Sequence, residues 1–372
     1  NDAYWHGVFG GLYAPHLRAG VERRLIKAEV LLDNIESAPG KPEVSFESRD
    51  FDADGQKEIL IEHPAFGMIV RPADGGTVSS LRFKPADVEL VNSLARRPEA
   101  YHEQVRLGAK PPEALAAGPS SIHDHVASKE LNLASFLRYD RYLRHAFRTF
   151  IFPTGKTAED YAALALDENP ALAGGAWGLR TRQGLSDRAA WQVARASGVE
   201  QLGFGLEIET RLSAGGKSLA LNTVKTLSTS AAGGRWRLEC TCKFTTDAPA
   251  PGLTTGLEVV FNLLAPNVPD RYFLARTEAG EARHPLEFAG EVNARRLLLV
   301  DEWQRVQIAI DAGPGSRWWI APIETISQSE SGFERVYQGS AILAVWPVER
   351  MLVEFTRALS VEIELLPRTV SP

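Results

Sequence analysis

The sequence predicts a mainly β protein, with a short N-terminal helical segment followed by a large antiparallel β-sandwich. Three observations carry that expectation. Near the start, apolar residues recur at three- and four-residue spacing, at Leu17, Val21, Leu25, Ala28 and Leu32, with Arg18, Glu22, Arg23 and Lys27 between them. From residue 202 onward the period is two. Leu206, Ile208, Thr210 and Leu212 alternate with Glu207, Glu209 and Arg211, and Leu359, Val361, Ile363 and Leu365 alternate with Ser360, Glu362 and Glu364. Between the two regimes "ESAPGKPEV" gathers Pro39, Gly40 and Pro42, which break any helix and mark a boundary. The chain divides accordingly into a helical segment, 1–37, and a β-sandwich, 38–372.

Element by element, the helix begins at Pro15 and ends near Asn34. Strands then follow one another between turn signals: "KEILIEH" after "DADG", "FGMIVRP" before "ADGG", and "TVSSLRF". "PADVELVNSLARRPEAYHE" reads as a short helix running into a loop. "SKELNLASFLRYDRYLRHAFRTFIF" fits helix, strand or one passing into the other. The span 154–200 is rich in Ala and Gly, carries "DENP", and reads as a loop-rich excursion. In "RWRLECTCKF" a strand places Trp236, Leu238, Cys240, Cys242 and Phe244 on one face and Arg237, Glu239, Thr241 and Lys243 on the other. Residues two apart on a strand have Cα atoms about 6.5–7 Å apart. That exceeds comfortable disulfide geometry, so the two cysteines are expected to be buried free thiols. No further cysteine completes a zinc site, and a reducing, cytoplasmic setting is expected.

Composition bounds the function. The 372 residues are 44% hydrophobic and carry a net charge of −6 from interspersed acids and bases. That balance lacks a nucleic-acid footprint. No window approaches eighteen apolar residues and no secretory signal is visible, so neither a membrane span nor a leader is expected. The chain lacks an initiator methionine, which fits a piece of a longer protein. The glycine-rich stretches "GGAWG", "DGG" and "GPG" lack the spacing of a phosphate or dinucleotide loop and read as hairpin turns. No cofactor is expected.

Two further groups bear on chemistry. His123 and His125 in "SIHDHVAS" share a face if the segment is a strand, as a metal pair requires, but no third ligand stands at readable spacing. The pair reads equally as polar residues at a strand end. Trp318 and Trp319 are adjacent, so one is expected to face the core and the other to point outward, where an indole can stack on a sugar ring. At the N-terminus, "NDAYWHGVFGGLYAPHLRAG" crowds an acid, a tyrosine, a tryptophan and a histidine into a region that ordinarily frays. Such a cluster either packs on another part of this chain or belongs to a longer one.

That stretch, extended as "NDAYWHGVFGGLYAPHLRAGVERRLIKAE", closely resembles the segment that follows the catalytic barrel in the α-amylase and 4-α-glucanotransferase branch of glycoside hydrolase family 57. "KEILIEHPAFGMIVRPADGG", "NSLARRPEAYHE", "SIHDH", "LRYDRYLR", "VVFNLLAPNVPDRYF" and "SGFERVYQGSAILAVWPVE" resemble that family's C-terminal β-domain in the same order. The resemblance implies a twisted β-sandwich akin to galactose mutarotase and a retaining enzyme acting on α-1,4-glucans. It places the catalytic carboxylates on an upstream barrel, so none is expected here. It gives Asp2 as an active-site carboxylate and Trp5 as a residue lying against the bound glucan; His6, next in sequence, reads either as a further substrate contact or as a structural hydrogen-bond donor beside a packed aromatic. The partners it implies are an α-glucan and the upstream barrel. Free-standing carbohydrate binding, or a structural sandwich supporting the barrel or a homodimer, are the alternatives.

Overall fold

A computed structural model of the chain describes residues 3–6, 11–36, 45–107, 130, 132–181, 184–185, 192–196, 199–214, 216–232, 235–277, 280–329, 332–348 and 353–367. The "ESAPGKPEV" breakers fall largely outside these residues, as do His123 and His125. Helix α1 (Pro15–Glu36) matches the expected start and runs two residues past Asn34.

Every strand pairing among the described residues is antiparallel. The first sheet is a meander of β1 (Ser45–Arg49), β2 (Glu58–His63), β3 (Phe66–Arg71), β4 (Thr77–Phe83) and β5 (Val88–Glu89). Helix α2 (His102–Arg106) precedes β6 (Arg148–Pro153), which is followed by α3 (Ala158–Ala162) and α4 (Pro170–Gly174). Next come three short pieces, β7 (Gly178–Thr181), β8 (Gly184–Leu185) and β9 (Gln192–Ala196), then the long strands β10 (Val199–Ala214), β11 (Lys217–Ala232), β12 (Arg235–Thr246) and β13 (Leu253–Phe261). The remainder is β14 (Arg271–Thr277), β15 (Gly280–Pro285), β16 (Gly290–Val292), β17 (Arg296–Asp301), β18 (Val306–Asp311), β19 (Arg317–Ser329), β20 (Gly332–Pro347) and β21 (Glu354–Leu365). The large second sheet runs β15-β14-β17-β18-β21-β12-β11-β10-β7-β8, with β9 also paired to β10. The third runs β16-β19-β20-β13-β6.

The three sheets share one core. Ile59, Met68 and Leu81 come from the first, Leu238, Cys240 and Val361 from the second, and Val259, Trp318 and Ile342 from the third. Phe66 stacks on Trp236 with ring centroids 4.0 Å apart, joining the first two sheets. Cys240 and Cys242 are buried free thiols, as their period-two placement dictates. Burial pushes the Cys242 thiol up, but its hydrogen bond with Cys240 and the Lys225 ammonium outweigh that and bring it down to about 7. The Lys225 ammonium donates to the carbonyls of Gly75, Gly76 and Phe147 at 2.7, 3.1 and 2.9 Å and sits 4.5 Å from the Trp177 ring centroid. These groups lie inside the core.

Two expectations change here. Trp318 and Trp319 do point to opposite faces of β19, yet both are buried. The face carrying Trp319 is covered by Tyr161 of α3, Ala173 of α4 and Leu166 between them, so the outward sugar platform is not there. Trp319 Nε1 instead donates to Glu291 Oε2 at 2.9 Å. The covering helices are locally specified. Thr157 and Asp160 form a capping box on α3, and Asn169 caps α4 ahead of Pro170. The second correction concerns "PADVELVNSLARRPEAYHE". It opens on a 3-10 turn at Lys84–Ala86, adds β5 to the first sheet, and becomes helical only at α2. Val88 pairs with Phe83, and tertiary strand pairing there wins over helical propensity.

Candidate functional site

The N-terminal cluster is held by a buried arginine. Arg18, on the first turn and a half of α1, is fully buried. Its guanidinium donates to the Leu12 carbonyl, to Asn92 Oδ1 at 3.0 Å, to the Asn92 carbonyl at 3.3 Å and to Gln338 Oε1 at 2.8 Å. All four acceptors are neutral. Burial pushes the Arg18 guanidinium down to about 10, which still leaves it charged at neutral pH.

Gln338 reaches this position because of a bulge. On the β19–β20 ladder Ile323 pairs with Gly339 and Glu324 with Tyr337, so Gln338 is the extra residue. Its side chain turns to the N-terminal segment, where Nε2 donates to the Tyr13 carbonyl and to Thr325 Oγ1, each at 3.0 Å. Gly339 has φ 153°, and a Cβ there would lie 2.4 Å from Ser93 Oγ and 3.0 Å from the Phe261 carbonyl. Only glycine fits the bulge.

Upon this anchor sit the predicted site residues. Trp5 is 53% exposed, and its carbonyl accepts from Leu12 N at 3.4 Å. His6 Nε2 lies 3.0 Å from Glu99 Oε1. The same carboxylate oxygen accepts from the Tyr13 hydroxyl, and the His6 and Tyr13 rings meet edge-on at 5.8 Å. Burial, followed by the bond to Glu99, pushes the Tyr13 hydroxyl far above its ordinary value. Tyr4 donates to Glu22 of α1. Asp2 lies outside the described residues. A small pocket adjoins the cluster, lined by Tyr13, Glu99, His102 and Glu324 and by apolar Phe136, Leu137 and Ile326 among others. The arrangement sets a half-exposed indole beside an imidazole, a carboxylate and a phenol, which is the chemistry that holds a polyhydroxylated ring by stacking and hydrogen bonds.

Sequence reasoning offers Trp5 and His6 as expected contacts and does not anticipate Arg18, Gln338 and Glu99 around them. An arginine between apolar helix positions reads as solvent-facing, and nothing in "ERVYQGSA" announces a bulge except its glycine. A second group also went unread: Asp50, Asp52 and Glu58 carboxylate oxygens lie within 4.8 Å of one another. Arg71 pairs with Asp52 and sits 3.8 Å from both Asp54 and Glu58, so a guanidinium supplies the counter-charge.

Elsewhere buried ionisable residues form paired networks. Asp140 takes hydrogen bonds from Arg96 and Arg144, and Arg144 also lies 3.3 Å from Glu258. Asp74 joins His145 at 2.8 Å to Arg148 at 2.9 Å. Burial pushes the His145 imidazole down, and Asp74 only partly restores it.

A family model described as Alpha-amylase/4-alpha-glucanotransferase, C-terminal, matches residues 50–359, and one described as the middle domain of the same family matches residues 1–32. Alpha-amylase 1 of Dictyoglomus thermophilum is 34% identical over 354 residues, covering 94% of this chain and 45% of that protein. The chain thus spans about half the length of the curated relatives it matches. The crystal structure of 4-alpha-glucanotransferase from Thermococcus litoralis superposes on 98% of this chain and 45% of its own, with a TM-score of 0.69 at 22% identity. A galactose mutarotase-like protein from Clostridium acetobutylicum aligns with 87% of this chain and 99% of its own at a TM-score of 0.46 and 8% identity. The antiparallel sandwich expected from the period-two pattern is the fold of the Thermococcus protein's matching part, and the chain belongs to the alpha-amylase/4-alpha-glucanotransferase family, of which it carries the C-terminal domain and part of the middle domain.

Proposed function

We propose that this chain is the C-terminal portion of a cytoplasmic, retaining enzyme that processes α-1,4-glucans, and that Asp2, Trp5 and His6 contact the bound glucan. The chemistry of that class needs two carboxyl groups about 5–5.5 Å apart, one forming a glycosyl-enzyme intermediate and the other serving as acid and then base. In this reading they reside on a barrel ahead of Asn1. The observation that carries the proposal is the state of Trp5: an indole more than half in water, on a turn fixed by a buried arginine and next to a histidine tied to Glu99. Rigid exposure of a large flat ring leaves apolar surface uncovered, and a sugar ring is a fitting cover. Hydrolysis and glucan transfer share the intermediate and differ only in whether water or a sugar hydroxyl attacks it.

The test is kinetics of the full-length protein on maltoheptaose. Trp5→Ala should raise KM about tenfold, for a stacking loss of about 1.4 kcal/mol. Asp2→Asn should lower kcat tenfold to a hundredfold if its contacts strengthen in the transition state, and His6→Ala should raise KM. The 372-residue chain alone should leave maltoheptaose intact. Unchanged kinetics with a large fall in melting temperature would show the cluster to be a structural plug, and turnover by the chain alone would refute the missing-barrel reading.

A further inference from the structure

Among the described residues, Trp177, Trp236, Trp318, Trp319 and Trp346 are buried, and two tryptophans are exposed. One is Trp5, at the candidate site. The other is Trp303, 73% exposed on the turn that joins β17 to β18. The structure fastens both to consecutive residues of α1. Tyr4, beside Trp5, donates to Glu22, and Arg23 donates at 2.8 Å to Oε1 of Gln304, beside Trp303. The helix between them is itself fixed, because Arg18, Glu29 and Asp33 turn inward onto Gln338, Arg82 and Lys84 of the β domain.

The turn that presents Trp303 is tied at its other positions. Asp301, fully buried, accepts from Gln304 N and from Gln304 Nε2, each at 2.7 Å. Glu302 N donates to the Asp270 carbonyl at 2.9 Å, and the Glu302 carboxylate accepts from the Tyr272 hydroxyl at 3.0 Å. Arg305 takes the left-handed region at φ 61°, and its guanidinium donates to the Leu366 carbonyl at 2.8 and 3.0 Å. Such backbone in a residue other than glycine persists only where its surroundings over-determine it, and it clusters at ligand contacts.

A rigid turn that holds a large indole in water is suited to a ligand that stacks. Glu302 is its neighbour, and next to Glu302 stands Tyr272, with the Arg283 guanidinium 3.4 Å from its ring centroid. A flat apolar face accompanied by donors and acceptors is the combination that holds a sugar ring. A protein partner fits less well, since interface cores are depleted in charged residues and this indole is bracketed by Glu302, Gln304 and Arg305. We propose that Trp303 is a second stacking platform for the α-glucan, an outer subsite engaged by chains long enough to continue past Trp5 along α1. It thereby favours long substrates over short ones. The proposal rests on the reading that Trp5 contacts the glucan, and it deepens that reading by naming the residue that sets preference for chain length.

Trp303→Ala, Trp303→Tyr and Trp5→Ala in the full-length protein test it, by affinity electrophoresis in amylose gels and by kinetics on amylose and maltotriose. Trp303→Ala should weaken the Kd for amylose about tenfold and raise KM for amylose by a similar factor, with KM for maltotriose changed less than twofold. Trp303→Tyr should recover most of the loss, because a phenol ring still stacks. Trp5→Ala should raise KM on both substrates. Amylose binding by Trp303→Ala equal to the parent's, or equal rises in KM on both substrates, overturns the outer subsite and leaves the Trp5 reading standing. Equal losses in the Ala and Tyr variants, with a lowered melting temperature, overturn it in favour of a structural role. The emission that Trp303→Phe removes should be quenched by acrylamide in the free full-length protein and shielded by amylose. Shielding already present without glucan overturns the proposal in favour of a protein cover. Trp303-dependent binding by a protein that turns over neither substrate upholds the platform and sinks the glucan-processing reading alone.

Discussion

At the scale of single residues, the candidate site depends on groups that are invisible from outside it. Trp5 and His6 occupy their positions because Arg18 ties the segment before α1 to Asn92 and Gln338 on the β domain. A hydrogen bond to a charged group contributes about 1.5–3 kcal/mol, and removing one partner leaves buried acceptors unsatisfied. Arg18→Met orphans Asn92 Oδ1, the Leu12 carbonyl and Gln338 Oε1 together. We expect it to lower unfolding stability in urea by about 3 kcal/mol and to speed tryptic cleavage at Arg23 and Arg24 as the first turns of α1 detach. A variant that melts with the parent and resists trypsin equally would show that other contacts hold the segment.

At the scale of elements, β19 illustrates how far a strand pattern reaches. Alternation assigns Trp318 and Trp319 to opposite faces correctly, but a face is wet only if nothing covers it. Here α3, α4 and the chain between them cover it, and Trp319 packs 5.8 Å from Phe152 by ring centroids. Trp319→Ala should therefore cost about 3–5 kcal/mol of stability, the usual range for deleting a buried tryptophan, while leaving KM for maltoheptaose in the full-length protein unchanged. A raised KM with intact stability would restore Trp319 as a sugar contact.

At the scale of the whole molecule, buried ion networks bind the layers and set the response to acid. Burial raises the Asp74 carboxyl, but the His145 and Arg148 hydrogen bonds outweigh it and hold the group far below its ordinary value. Asp140 behaves likewise between Arg144 and Arg96. A depressed folded pKa means the unfolded chain binds more protons. The stability these groups contribute is complete above the unfolded carboxyl value of about 3.9 and fades as pH falls toward the folded one. Burial raises Asp301 instead, which gives that group the opposite slope. The clean measurement is thus a difference: Asp74→Asn should melt well below the parent at pH 6, and the gap should narrow by pH 3. A gap constant across that range would remove Asp74 from the account.

The sequence by itself determined the β class, the helix at Pro15, the two faces of β12 with their buried thiols, and the family, because periodicity and a run of nearly thirty consecutive residues are local properties of the chain. Through that resemblance it also put forward Asp2 and Trp5 as glucan contacts, with His6 added from its place beside them. Tertiary structure alone decided that α1 turns its charges inward, that Gln338 swings from a bulge to bind Arg18, and that helices bury Trp319. Each of these depends on a partner far away in sequence: 320 residues separate Arg18 from Gln338. Polarity patterning reports only how water-loving a face is. Whether that face meets water, a buried counter-group or another layer is settled by packing, which can hold even a guanidinium inside when acceptors surround it.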